Sequence, residues 1–157
     1  MKKKFKIWQV VLGVFILLLV TGCGNSNSME SMTCTRTMNQ NGIKTSLKYN
    51  VKYKGDYVSR IKTVETVETD STDILNTYKE QIESLYSPYK DVEYYDYNVD
   101  VTDNKLTSTV DINYEKVDTD KLLEIDSANG QLIKDGKISV DDIKSVYESL
   151  GATCKND

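Results

Sequence analysis

Between Ile43 and Tyr53 the chain alternates. Ile43, Leu47, Tyr49, Val51 and Tyr53 hold odd positions, and Lys44, Ser46, Lys48, Asn50 and Lys52 fill the even ones. Period-two alternation predicts a strand with one buried and one wet face. The same pattern returns in Leu106, Ser108, Val110, Ile112 and Tyr114, with Lys105, Thr107, Thr109, Asp111 and Asn113 facing water. Val92 to Val101 reads as another strand, with Tyr95, Tyr97, Val99 and Val101 on one face. Thr33 to Met38 is a candidate first strand. Tyr57 to Glu68, rich in Val, Ile and Thr, is a third whose alternation is less regular. Asn41-Gly42, Lys54-Gly55-Asp56 and Asp103-Asn104 supply turn residues between neighbours, and Asn-Gly is the strongest short hairpin signal.

Elsewhere the period changes to three and four. Ile74, Leu75, Tyr78, Ile82, Leu85 and Tyr86 form one apolar stripe, preceded by Asp70 and Ser71 as N-caps and followed by Pro88, the only proline. Asp118 can cap a short helix over Thr119 to Asp126, which Gly130 breaks. Ser139 can cap a last helix striped by Ile143, Val146, Tyr147 and Leu150, with Gly151 as its C′ residue. The order is βββ-α-ββ-αα. Hairpin-length connections imply antiparallel pairing, so the expected fold is α+β: a five-stranded antiparallel sheet with helices packed on one face.

The first 22 residues do not belong to that domain. Lys2, Lys3, Lys4 and Lys6 precede an almost wholly apolar run from Ile7 to Val20. Fourteen helical residues rise about 21 Å, short of the roughly 30 Å of a bilayer core. A basic start, a short apolar run and small residues before a cut site read as an export signal. The segment ends in Val20-Thr21-Gly22-Cys23, which resembles the lipobox of bacterial lipoproteins, where the cysteine thiol receives a diacylglycerol. Two acyl chains suffice for stable anchoring, at about 0.8 kcal/mol for each buried CH₂. The alternative is an uncleaved membrane helix that ends in Cys. The expected organisation is a signal peptide over 1–22, a lipidated flexible tether over 23–31 and a single domain over 32–157. The expected location is the extracytoplasmic face of the cell membrane.

Cleavage alters the charge. Four of the 20 basic side chains leave and none of the 24 acidic ones, so the formal charge moves from −4 to −8. That argues against nucleic acid, whose phosphates need a basic footprint, and against docking on anionic headgroups. Trp8, Phe5 and Phe15 leave as well, so every aromatic ring of the mature chain is one of its 11 tyrosines. With Cys23 given to lipid, Cys34 and Cys154 remain. Outside the membrane an even pair is most simply a disulfide; two free buried thiols are the alternative.

Little else points to chemistry. The chain has no His, which removes Ser-His-Asp and Cys-His catalysis and a thiolate–imidazole zinc site. Asp96-x-Asn98-x-Asp100 has the opening spacing of a calcium loop. It carries Val101 where that loop needs Gly and Thr107 where it needs Glu. No feature selects one catalytic pair from the acids. No cofactor, metal or catalytic residue is therefore expected. The tyrosines stand out: Tyr86, Tyr89, Tyr94, Tyr95 and Tyr97 crowd the end of the first long helix and the next strand. Adjacent residues of a strand point to opposite faces, so Tyr94 and Tyr95 would place one ring away from the core. These rings either fill core positions or form a binding patch.

Three segments look familiar together. Tyr53-Lys54-Gly55-Asp56, Tyr114-Glu115-Lys116-Val117-Asp118, and Gly136 through Ile138-Ser139 to Leu150-Gly151 resemble, in order and spacing, the YehR-like family of small bacterial lipoproteins. The resemblance covers about residues 42–152, with the lipobox. It implies an α+β domain and no established activity, so it assigns no catalytic residue. It does not supply the Cys34/Cys154 pair, which rests on compartment alone. The expected function is a membrane-anchored, non-enzymatic binding or accessory component of the cell envelope. Its partner would be an envelope protein or a small ligand. The alternatives are an envelope hydrolase using carboxylates and a purely structural or stress-related envelope lipoprotein.

Overall fold

The computed structural model describes residues 28–157. The expected signal segment, Cys23 and most of the expected tether lie outside the described residues. Among the described residues no helix is long and apolar enough to cross a membrane.

Three long strands open the domain: β1 (Met29–Gln40), β2 (Ile43–Lys54) and β3 (Tyr57–Glu68). Helix α1 (Thr72–Tyr86) follows, then a single 3₁₀ turn over Ser87–Tyr89, then β4 (Tyr95–Thr102) and β5 (Lys105–Asn113). The short helix α2 (Thr119–Ile125) runs into a second 3₁₀ turn over Ser127–Gln131. The two-residue strands β6 (Ile133–Lys134) and β7 (Lys137–Ile138) form a small hairpin. Helix α3 (Val140–Ser149) and β8 (Thr153–Asn156) complete the domain.

The main sheet has six antiparallel strands in the order β4-β5-β3-β2-β1-β8. This corrects the expected five. β8 is four residues long with no apolar alternation, so its sequence carries no strand signal. It exists because β1 offers an open edge and Cys154 stands opposite Cys34. The two helices expected back to back are separated by the β6–β7 hairpin, whose turn residues Asp135 and Gly136 both have positive φ. β1 starts at Met29 and runs to Gln40, longer at both ends than the expected Thr33 to Met38.

Turn and cap chemistry explains most boundaries. Asn41 (φ 51°) and Gly42 (φ 77°) join β1 to β2 in the left-handed conformations that a tight hairpin needs. The Ile74 and Asp142 amides donate to the Ser71 and Ser139 hydroxyls, and the Asp120 and Lys121 amides donate to Asp118. Pro88 sits in the 3₁₀ turn that ends α1. Gly151 (φ 87°) lets the Ala152 amide reach back to the Tyr147 carbonyl and close α3.

Registers put every core strand position on one face. One row across the sheet reads Met32, Val51, Ile61, Ile112, Tyr95, and the next reads Cys154, Cys34, Tyr49, Thr63, Val110, Tyr97. Two clusters cover this face. Leu75 and Ile82 of α1 pack with Val67 and Leu106. Ile143 and Tyr147 of α3, Leu122 of α2 and the β6–β7 hairpin pack over Val51, Ile61 and Val110. The opposite face carries polar side chains and Arg60 bonds Asp111 there through two nitrogens at 2.6 and 2.8 Å. The irregular pattern of β3 now has causes. A bulge opposite Lys52 and Tyr53 leaves Val58 and Ser59 both buried, and Thr63 and Glu65 occupy inward positions where apolar residues are expected.

Candidate functional site

The five tyrosines singled out by the sequence do not stay together. Tyr89 and Tyr95 are buried, at 9% exposure each, and stack with ring centroids 4.5 Å apart. Tyr86 and Tyr97 are half-buried and meet at 5.9 Å, tilted. Tyr94 alone leaves the core, 46% exposed, with the Lys116 ammonium 5.3 Å from its ring centre. The ring does lie apart from Tyr95, but strand alternation is not the reason. Tyr94 precedes β4 and has φ 65°, a conformation that bulky L-residues seldom adopt. Its carbonyl accepts from the Asn113 amide, which starts the β4–β5 pairing.

Around the buried rings lies a cavity of about 180 Å³. Its floor is the inner face of the sheet, from Ile61 and Thr63 on β3 to Val110 and Ile112 on β5. Its roof comes from Ile143 and Tyr147 of α3 and from the β6–β7 hairpin. Tyr86, Tyr95, Tyr114, Tyr147, Thr63 and Asn129 are its polar lining residues. Tyr147 is held in place by Tyr49, stacked on it at 3.9 Å. The sequence pattern picks out Tyr86 and Tyr95 but not Tyr114, Tyr147, Thr63 or Asn129. Those residues come from separate stretches of the chain, and only the tertiary fold brings them to one cavity.

The hydroxyls of this cavity stay protonated. Burial raises the pKa of Tyr86, Tyr95 and Tyr147, and neighbouring tyrosines push in the same direction. Burial, with Tyr89 close by, pushes Tyr114 up to about 12. At neutral pH these groups therefore give and accept hydrogen bonds and do not act as bases.

A charged side chain stands on the inner face beside the cavity-lining Thr63. Glu65 lies two residues beyond Thr63 on β3, flanked by Leu47 of β2 and Ser108 of β5. It stands at the seam of the two core clusters, which among the described residues only Tyr86 joins. Burial raises the Glu65 pKa above the ordinary carboxylate value. Tyr49 stands opposite Thr63 on the neighbouring row of the same face, and the charge of Glu65 adds to the upward shifts of Tyr49 and Tyr86. The sequence carried a signal for it: Glu65 is a carboxylate in phase with Ile61 and Val67.

Cys34 and Cys154 are joined in a disulfide. Cys34 is fully buried and the bond fastens β8 to β1. Cys23 lies outside the described residues.

A six-stranded antiparallel sheet, covered on one face by three helices and holding a tyrosine-walled cavity, defines a small α+β domain. The chain belongs to a family described as a protein of unknown function, DUF1307, whose model matches residues 32–153. Its fold is that of YehR-like proteins. It resembles the solution structure of the Escherichia coli YehR protein, with 22% identity and a TM-score of 0.53 over 83% of this chain and 92% of that one. It also resembles a solution structure of a protein from Streptococcus pneumoniae TIGR4, with 16% identity and a TM-score of 0.52 over 88% of this chain and 92% of that one. At these identities the likeness concerns the fold alone. A search of curated proteins finds no match.

Proposed function

We propose that this chain is a lipid-anchored binding protein of the bacterial cell envelope. Its domain is held on the extracytoplasmic face of the membrane through Cys23 and takes a small ligand into the tyrosine-walled cavity without transforming it. The observation that carries the binding half is the character of the cavity wall. Its polar lining residues are four tyrosines, one threonine and one asparagine, and burial keeps the tyrosines protonated at neutral pH. Apolar surface with a few converging hydrogen-bonding groups is the usual make-up of a ligand pocket. The volume falls below the roughly 300–1,000 Å³ of sites for drug-sized ligands, so the occupant has few heavy atoms. The anchoring half rests on Val20-Thr21-Gly22-Cys23 after a basic start and a short apolar run.

Each half has its own test. Cys23→Ala should leave the protein unprocessed or release it from membranes, and normal retention with normal lipid labelling would sink the anchor. A thermal-shift screen of small polar molecules should find stabilisers, because a ligand at 100 times its dissociation constant adds about 2.7 kcal/mol. Tyr114→Phe should weaken those hits while leaving the unliganded melting temperature nearly unchanged. Hits that ignore Tyr114→Phe and Asn129→Ala alike would place binding elsewhere.

A further inference from the structure

Glu65 makes no ion pair and no hydrogen bond among the described residues. A carboxylate half removed from water and left without a partner is destabilising, and a core has no structural need of one. The groups that respond to its charge, Tyr49 and Tyr86, are neutral. Arg36 is the cation on the same row of the sheet. It stands beyond Leu47, its side chain lies against Gly151 at the end of α3, and it acts on Tyr49 in the sense opposite to Glu65 while making no ion pair with it. Glu65 thus places a negative charge on the inner face beside aromatic rings. Tyr86 lines the cavity and belongs to both core clusters. Tyr147 lines it too, with Tyr49 stacked on it.

Aromatic rings with an unpaired carboxylate form the arrangement that recognises organic cations, through the ring quadrupole and the opposite charge. An anion would meet repulsion from Glu65. A neutral ligand would leave the carboxylate uncompensated. We propose that the tyrosine-walled cavity binds a small organic cation, with Glu65, two residues along β3 from the cavity-lining Thr63, as its counter-ion and Tyr49, Tyr86 and Tyr147 around it. The assignment rests on the cavity being a ligand site, and it adds the charge of the ligand.

The test uses two probes of one shape. Choline and its uncharged carbon isostere dimethylbutanol are titrated into the full-length protein, purified from membranes in non-ionic detergent, and followed by calorimetry and by tyrosine resonances. Choline should bind at least about tenfold more tightly than the isostere. Glu65→Gln should abolish that preference without lowering the melting temperature. Tyr86→Leu should weaken choline, whereas Tyr86→Phe, which keeps the ring, should not. Equal binding of the two probes would overturn the cation assignment while leaving the cavity a ligand site. Failure of both probes, with no hit in the wider screen, would overturn the two readings together. A choline preference that persists in Glu65→Gln would remove Glu65 from the site.

Discussion

Single residues carry the sharpest contrasts in this domain. Glu65 is a carboxylate on the core face of β3, and its folded pKa lies above its unfolded one because burial disfavours the charged form. Between the two values the native state holds more protons than the unfolded chain. The contribution of this group to stability is therefore greatest at low pH and is lost as pH rises through the folded value. The tyrosines it faces, Tyr49 and Tyr86, do not titrate in that range, because their own pKa values are raised. Glu65→Gln should accordingly raise the melting temperature at pH 7, and the gain should vanish below the ordinary carboxylate range. A melting temperature lowered at neutral pH would mean that the carboxylate has a stabilising partner. Leu106 is the opposite kind of residue, fully buried between β5 and α1. Leu106→Ala should cost about 2–5 kcal/mol, measured by denaturant unfolding, since the surrounding helix and sheet can close only part of the space. A loss under 1 kcal/mol would show that the site collapses freely.

Secondary-structure elements differ in how they are held. β2 and β5 need only their alternation and their hairpin turns. α1 and α3 need their stripes and serine caps. β8 is different, for it has four residues, lies at the sheet edge and follows directly on the Gly151 turn. The Cys34–Cys154 bond closes a loop with a sequence separation of 120, which on the chain-entropy argument contributes about 4–5 kcal/mol. Cys154→Ser should lower global stability by several kcal/mol. It should also speed hydrogen exchange in Met32 to Thr35, the part of β1 that β8 covers. Unchanged exchange there would show that β8 is held by its hydrogen bonds alone. Intact mass gives a simpler check, since the oxidised chain should weigh about 2 Da less than the dithiol.

At the scale of the whole molecule, the two core clusters sit on one sheet face and meet at the seam that holds Glu65. Tyr86, at the end of α1, packs against both. It ties the α1 half of the core to the α3 half, and the sheet beneath makes them one cooperative unit. Thermal unfolding should give coincident transitions by far-ultraviolet circular dichroism and by tyrosine fluorescence. In Tyr86→Ala the transitions should separate or broaden, because the link between clusters is cut. Coincidence retained in that variant would assign the coupling to the sheet alone. The same geometry explains the cavity, for it lies where α3 and the β6–β7 hairpin bridge the sheet and the space beneath them is incompletely filled.

Features that depend on a few neighbouring residues were legible in the chain itself. Asn41-Gly42 requires a tight turn because both residues tolerate positive φ. Ser71, Asp118 and Ser139 end their helices where unpaired amides need an acceptor. Alternation in β2 and β5 gives each strand a wet and a dry face, and an α+β class follows. Features that depend on register between distant segments were not legible. The sixth strand has no pattern of its own and is made by the free edge of β1 and by Cys34. The left-handed turn at Tyr94 is imposed where the chain enters β4, although Tyr94 and Tyr95 in sequence read as one strand. The cavity draws Thr63, Tyr95, Tyr114, Asn129 and Tyr147 from separate stretches of the chain. Side-chain periodicity is local, whereas the choice of which inward residues face one another is made by strand order and by the angle at which helices cross the sheet. The sequence by itself determined the class of fold and the ends of its helices; the tertiary structure decided that Glu65 stands beside a set of tyrosines, because only long-range pairing brings β3, the end of α1 and α3 to one place.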